Sequence, residues 1–463
     1  MRALLLLAAS LLLAACAGPA PQANRLAPAA LDLPPVPRFA PVRPTPPQRA
    51  NADMVHDILE LGFFMESGRP IPQFSRFDGP VTLFLTGPVP PGARAETAHI
   101  VDRLRREAGI DVTLAPAGAA PAGRRVTAEF IPRDDMRRAV PQAACFLVPR
   151  ISTWEEFRRN RRSARLDWTT VVERDEIAVF IPADTTPQET RDCLHEEIAQ
   201  AFGPLNDLYR LQESVFNDDN FQTILTGFDM LLLRAWNDPS LRPGMSPDEV
   251  AARLPAILAR LNPAGQRIAA GPPPDRRPQA WQDAIETALG PGVGLGPRRQ
   301  AAARALQIAQ DRGWQDARLA FSYMTFARLA RPQEADVALA AFLSAGMIYR
   351  RLPGAEVHLA HVDMQLAAFA LSADRPVEAL VLTRAAQPAA RATQNGALLA
   401  SLKMVEAEAL ERAGRPDDAA RVREESLGWA RFGFGDARAV RARLENVAAL
   451  GRPRGAGRAD NPG

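Results

Sequence analysis

Residues 51–262 combine two hydrophobic patterns that together predict one folded α+β domain. Segments with the periodicity of amphipathic helices lie at residues 54–67 and 96–108. Short runs rich in β-branched residues predict strands instead. These runs are residues 81–86, 112–114, 126–131, 145–148 and 176–181. Strands and helices in this order indicate one modest sheet covered by helices.

A different pattern fills residues 297–452, which are rich in Ala, Leu and Arg and read as helix throughout. The motif Arg-Pro-x-[Glu/Asp]-Ala begins at Arg331, Arg375 and Arg415, with intervals of 44 and 40 residues. Proline suits the first position of a helix, and an acid in the first turn faces the positive end of the helix dipole. Repeats of this length that hold two helices are typical of helical solenoids, and the last copy resembles a tetratricopeptide repeat. The alternative is a plain Ala-rich helical bundle.

Three further segments have compositions that do not favour a packed core. Residues 16–50 are rich in Pro and Ala and predict an extended tether. Residues 263–296 are interrupted by Gly and Pro and predict a linker between two domains. Residues 453–463 are small and polar and predict a disordered tail.

The first residues carry the pattern of an export signal. One positive charge at Arg2 precedes a short apolar run that ends at Ala15, which is too short to span a bilayer. The sequence Leu-Ala-Ala before Cys16 resembles a bacterial lipobox, which implies removal of residues 1–15 and a lipid on the Cys16 sulfur. The resemblance implies a lipid-anchored protein of the cell envelope, facing the periplasm from the outer membrane. The alternative is an ordinary signal peptide that happens to contain a cysteine.

One helix between the strands and the linker has clear boundaries. Thr186, followed by Pro187 and Glu189, forms a capping box with proline at the first helical position. The helix is predicted to end at Gly203, which Pro204 follows.

The end of this helix resembles the active-site stretch of metzincins, a class of zinc metallopeptidases with the signature His-Glu-x-x-His-x-x-Gly-x-x-His. The ligand positions of that signature fall on Glu196, Gln200 and Asn206. Glu197 stands at the position of the general base, and Gly203 at that of the conserved glycine. The stretch is also similar to an uncharacterised family of bacterial lipoproteins that carries a domain of unknown function.

The departures from the metzincin pattern change the expected chemistry. Zinc prefers imidazole and thiolate ligands, whereas a carboxylate with two amide oxygens suits Ca²⁺ or Mn²⁺ better. Residues 214–218 resemble the Met-turn of the same class, with Phe216 in place of Met. The resemblance therefore leaves two possibilities for a cofactor, a divalent metal or none. A polar helix face followed by a turn is the purely structural explanation of the same residues.

Cysteine and histidine positions suggest further sites. Cys145 and Cys193 are the cysteines besides Cys16, and an oxidising compartment favours a disulfide between them over two buried thiols. His358 and His361 fall on one side of a predicted helix, but their surroundings supply too few ligands to predict a metal. The basic run at residues 158–165 reads as a solvated face rather than a lipid contact.

These patterns support two functions from different classes. The first is a binding scaffold or assembly factor, in which an inactive metallopeptidase-like domain is joined to repeats that hold a protein partner. The second is an atypical metal-dependent peptidase with Glu197 as general base. A net charge of +3 is too small to indicate a nucleic-acid partner. A third possibility is a binder of cell-wall glycan, for which the sequence contains no specific motif.

Overall fold

One mixed sheet organises the first half of the chain. The computed structural model describes residues 32–42, 44–272, 275 and 278–450. The strands are β1 (Val81–Thr86), β2 (Val112–Leu114), β3 (Arg125–Ile131), β4 (Phe146–Pro149) and β5 (Glu176–Pro182). They pair in the order β2-β1-β3-β5-β4, with all pairs parallel except the edge strand β4, which is antiparallel to β5. The five strands predicted from residue type are confirmed, with ends that differ by no more than one residue.

Helices cover both faces of this sheet. They are α1 (Asn51–Gly62), α2 (Ala93–Arg103), α3 (Arg133–Ala139), α4 (Trp154–Asn160), α5 (Pro187–Phe202), α6 (Gly227–Trp236) and α7 (Pro247–Leu261). Alternate residues of β5 point to opposite sides, because side chains of a strand repeat with a period of two. Ile177 and Val179 pack with Ile198 of α5, whereas Phe180 packs with Phe157 of α4.

The second half of the described chain is helical, as the sequence predicts. Its helices are α8 (Gln279–Leu289), α9 (Leu295–Asp311), α10 (Ala317–Leu329), α11 (Ala335–Tyr349), α12 (Glu356–Ser372), α13 (Pro376–Ala392), α14 (Gly396–Arg412), α15 (Pro416–Phe434) and α16 (Ala437–Leu450). Each of α9 to α15 packs against the next helix in sequence. Two of the repeated prolines, Pro376 and Pro416, occupy the first turn of α13 and α15.

The segment predicted as a linker contains α8, which is part of the core. Trp281 of α8 is 1% exposed, and its indole N–H donates to Ser322 Oγ on α10 at 2.8 Å. The Gly- and Pro-rich composition of residues 263–296 concealed this helix, because its stability depends on tertiary burial rather than on local propensity.

An extended segment precedes α1, and residues 33–42 and 44–50 are called the strap below. Phe39 of the strap packs on Trp429 of α15, with ring centroids 4.4 Å apart. Arg431 Nη1 donates to the carbonyl oxygens of Leu33 and Pro34, at 3.2 Å each. This part of the predicted tether is therefore held against the folded body, because proline fixes the backbone in an extended form and Phe39 supplies an apolar anchor.

A disulfide joins Cys145, which precedes β4, to Cys193 on α5, across 48 residues of sequence. It fixes the helix that carries the predicted site residues to the sheet edge. None of the described helices is long and apolar enough to cross a bilayer. The predicted signal peptide, the lipid attachment at Cys16 and the tail at residues 453–463 lie outside the described residues.

Candidate functional site

Helix α5 carries the predicted site residues, and local sequence fixes both of its ends. Thr186 Oγ1 accepts from the Glu189 backbone N–H at 3.1 Å, which caps the first turn. The helix ends at Gly203, whose backbone is extended, and a side chain would not fit there because a Cβ would lie 2.5 Å from Leu233 Cδ2. The buried Arg174 donates from Nη1 to the carbonyl oxygens of Gln200 and Ala201, at 2.9 Å each. This cation satisfies carbonyl oxygens in the last turn of the helix and complements its dipole, and no residue pattern around Arg174 indicates this role.

The residues at the predicted ligand positions lie near the end of α5. The amide groups of Gln200 and Asn206 make hydrogen bonds to other residues of the protein. Gln200 Nε2 donates to Asp207 Oδ2 at 3.1 Å. Asn206 Nδ2 donates to the Glu60 carbonyl oxygen at 3.1 Å. Glu196 is half-buried beside them, and Glu197, at the predicted general-base position, is buried.

Five carboxyl groups surround the end of α5, and they are called the acidic recess below. They belong to Glu66, Glu196, Glu197, Asp207 and Asp218. Burial and mutual repulsion raise the pKa of Glu196 to about 8 and the pKa of Asp218 to about 7. The same two causes hold the pKa values of Glu197 and Asp207 well above their usual range.

The acidic recess has an open edge and a closed floor. Glu66 is exposed to solvent and forms the open edge. Glu197 Oε2 and Asp207 Oδ1 are buried at the floor, and neither has a hydrogen-bond partner within the described chain. Buried carboxylate oxygens without partners are costly and mark this place as unusual.

The carboxyl groups of the acidic recess raise one another's pKa values, but their side chains do not converge on a single point. Within the described ranges, no three His, Cys, Asp or Glu side chains come close enough together to hold a metal ion. Among the described residues, the groups that shift the pKa values of these five carboxyl groups most strongly are all acidic, and none of them is a Lys, Arg or His. The fit to a divalent ion therefore depends on side-chain movement.

Helix α8 forms one wall of the acidic recess. Burial and then repulsion from Glu286 of α8 raise the pKa of Glu66, and the pKa of Asp218 is raised by burial, by Glu66 and then by Glu286. Trp281 of the same helix packs edge-on against Tyr209, with ring centroids 5.0 Å apart. The space left beside Asn206 and Tyr209 is about 20 Å³, which is enough for one water molecule.

A family comparison covers this whole region. Residues 51–256 match the family model described as "Protein of unknown function (DUF2927)". The match begins with α1 and ends inside α7, so it contains the sheet, α5 and the acidic recess except for the wall from α8. No curated protein and no solved structure matches the chain.

The helical half holds a loop of the DUF2927 region in place. His358 Nε2 of α12 lies 2.7 Å from Asp219 Oδ2, and both side chains are buried. Phe221 stacks on His361 of the same helix, with ring centroids 4.3 Å apart. These contacts fix the segment that places Asp218 in the acidic recess. The histidine pair that the sequence singled out thus serves packing and hydrogen bonding.

Two other side chains of the DUF2927 region have structural roles. Phe216, at the Met-turn position of the resemblance, is fully buried near Gly203. His195 Nδ1 accepts from the Leu225 backbone N–H at 3.1 Å, so Nε2 carries the proton that faces Glu96 Oε1 at 2.9 Å. Burial lowers the pKa of His195 to about 4, so it is neutral at pH 7.

The arginines of the basic run at residues 158–165 are exposed to solvent.

Proposed function

We propose that this chain is an envelope lipoprotein whose metallopeptidase-like domain binds rather than cleaves, and whose helical half holds a protein partner. The observation that carries the proposal is the use of the predicted ligand positions. Gln200 and Asn206 donate their amide hydrogens to Asp207 and to the Glu60 carbonyl, so these two side chains serve the fold. A hydrolytic zinc site instead needs ligands that leave one position open for water.

The exposed surface of the helical half supports the proposal that it binds a protein partner. Several large apolar side chains there face solvent, and such side chains in a cluster mark interaction sites. They are Val337, Leu343 and Met347 on α11, and Val377 and Val381 on α13. The last two are 69% and 64% exposed and lie one helical turn apart.

The test uses the full chain, exported and tagged, with cross-linking in the envelope fraction. We expect one partner to co-purify in near-stoichiometric amount. The double variant Val377→Asp, Val381→Asp should reduce its recovery at least about tenfold, because two charges enter an apolar contact. Val172→Asp changes an exposed valine of the DUF2927 region and serves as the control. Equal recovery with all three proteins would contradict the proposal.

The second candidate is an atypical metal-dependent peptidase with Glu197 as general base. It is favoured by one observation, which is that Glu197 Oε2 and Asp207 Oδ1 are buried and lack a donor among the described residues. A divalent cation would relieve the repulsion in the acidic recess, and oxygen ligands of this kind suit Ca²⁺ or Mn²⁺. A raised pKa also suits a general base that works near neutral pH.

Metal titration separates the two candidates. The full chain is freed of metal with chelator and titrated with Zn²⁺, Mn²⁺ and Ca²⁺ by calorimetry. Saturable binding that Glu196→Gln and Asp218→Asn each remove, together with casein cleavage that Glu197→Gln abolishes, would establish the peptidase. Folded protein that neither binds these ions nor cleaves casein would leave the binding function. Glu424→Gln, on the exposed face of α15, is the matched control.

A further inference from the structure

A cavity of about 620 Å³ lies where the strap, the DUF2927 region and the helical half meet. Its volume is within the range of specific ligand sites, about 300–1,000 Å³. Pro44 and Pro46 of the strap form one side, the loop before α6 and Phe228 at its start form another, and α12 and α13 form a third. The acidic recess contributes none of its five carboxyl groups to this lining, so the cavity is a separate site.

The charged side chains of the described cavity lining are all acidic. Glu213, Glu356 and Asp363 bring three carboxyl groups to its surface, and the described lining contains no Lys, Arg or His. Asp363 is 6% exposed and forms an ion pair with Arg350, whose Nη2 lies 3.6 Å from Oδ1, but this oxygen accepts no hydrogen bond within the described chain. Gln222 Oε1 is also buried and unpaired among the described residues.

Burial raises the pKa of Glu213 to about 7, and it also raises the pKa of Asp363. A cation in the cavity would stabilise both carboxylates, because the nearby opposite charge offsets their lost hydration. An anion would meet three carboxyl groups. A purely apolar ligand would leave the acceptors of Asp363 and Gln222 buried without donors.

The apolar walls have short side chains, so a main chain can approach closely. Ala385 and Ala389 line the α13 side, and Ala360 lines the α12 side. Pro388 lies inside α13, where it cannot donate to the carbonyl oxygen of Arg384 one turn earlier. A wall of this kind accepts the CH₂ stem of a long basic side chain, while its head reaches the carboxyl groups.

We propose that this cavity binds an extended peptide segment of the partner through a Lys or Arg side chain, an inference that rests on the binding function proposed above. The ammonium or guanidinium group meets Asp363 and Glu213, and the aliphatic stem lies along Ala360 and Ala389. The peptide backbone runs beside the proline-rich strap.

The experiment uses the full exported chain and the blocked, fluorescein-labelled peptide Ala-Leu-Lys-Leu-Ala, with fluorescence anisotropy as the readout. A second peptide with norleucine in place of lysine has the same stem without the charge. Saturable binding of the lysine peptide, with the norleucine peptide at least about tenfold weaker, is expected from one charged hydrogen bond. Asp363→Asn and Glu213→Gln should each weaken the lysine peptide at least about tenfold. The control Glu424→Gln should leave its affinity unchanged, and circular dichroism should show that every variant is folded at the temperature of the assay.

Equal binding of the two peptides, or binding that neither cavity variant weakens, would overturn the proposal. Full displacement of the lysine peptide by an equal concentration of hexylamine would also overturn it, since the site would then recognise an amine alone. Partner co-purification separates this inference from the proposed function. Loss of peptide binding with the partner still captured would count against the cavity alone. Peptide binding that depends on Asp363, with no partner captured, would count against the proposed partner on α13.

Discussion

Glu196→Gln is expected to stabilise the protein near neutral pH. Burial and repulsion from Asp218, Glu66 and Asp192 raise the pKa of Glu196 from its ordinary value of 4.5 to about 8. Between pH 4.5 and pH 8, Glu196 is therefore ionised in the unfolded chain and protonated in the folded chain, so folding takes up a proton. Stability is unaffected by this group below about pH 4.5, falls as the pH rises, and reaches its lowest contribution above pH 8.

The magnitude follows from the pKa difference. Each unit corresponds to about 1.4 kcal/mol, so the 2.5 units between 4.5 and pH 7 make the cost of Glu196 about 3 kcal/mol. Neighbouring carboxyl groups share protons with Glu196, and they relax when it is replaced. We therefore expect Glu196→Gln to raise the free energy of unfolding by about 1 to 3 kcal/mol at pH 7, and by close to zero at pH 4.5.

Urea unfolding followed by circular dichroism, in buffer with chelator, measures this difference at both pH values. Glu424→Gln, an exposed glutamate of α15, is the control and should leave the midpoint unchanged at either pH. The reasoning would be refuted if Glu196→Gln lowered the free energy of unfolding at pH 7, or if it raised that free energy at pH 4.5 as much as at pH 7. A gain at pH 7 alone would mean that the wild type retains Glu196 at a cost in stability, as functional sites often do.

Three further changes test other contacts. The double variant Cys145→Ala, Cys193→Ala should lose about 4 kcal/mol of stability in the chain-entropy account, and its thermal midpoint should no longer respond to reductant. His358→Phe removes one hydrogen-bond partner of the buried Asp219 carboxyl, which keeps Asn217 Nδ2 and the Phe221 backbone N–H, and urea unfolding should show a loss of about 1 to 3 kcal/mol. Gly227→Ala brings a Cβ against a strap carbonyl oxygen, so limited proteolysis should cut the strap faster than in the wild type.

Each of these changes has a control in the chain. Reductant should lower the midpoint of the wild type by the same amount as the cysteine replacement, and a smaller shift would contradict the cross-link. His56→Phe replaces an exposed histidine of α1, and an equal loss there would contradict the role of His358. Gly296→Ala changes a glycine of α9 with open space around it, and cleavage as fast as in the Gly227 variant would show that the strap contact is irrelevant.

Local patterns were sufficient for the elements of the DUF2927 region. The β-branched runs located all five strands, because strand formation there follows side-chain type and burial. Helix α5 begins after Thr186 and ends before Gly203, as the capping residues predict. Residue patterns of this kind act within a few positions of sequence, so one chain contains all the information they need.

Long-range assembly could not be read in the same way. Arg174 reaches the carbonyl end of α5 from the loop before β5, and nothing in its neighbouring residues indicates that role. Glu66 and Glu286 belong to segments far apart in sequence, and only the tertiary fold places both beside Asp218. The helix that contains Trp281 was hidden by the Gly and Pro around it. The spacing of residues along α5 identified where the candidate site lies, but only some of the residues that form it.

The strap is synthesised early and can dock only late. Leu33 contacts Arg431, which is 398 residues further along the chain. Closing a flexible loop of this length costs about 5 kcal/mol in chain entropy, so the contact is too weak to form before the intervening helices have folded. A newly made chain therefore passes through a stage in which Phe39 is uncovered and the cavity lacks its proline wall. During that stage a chaperone or a protease has access to a surface that the finished fold removes.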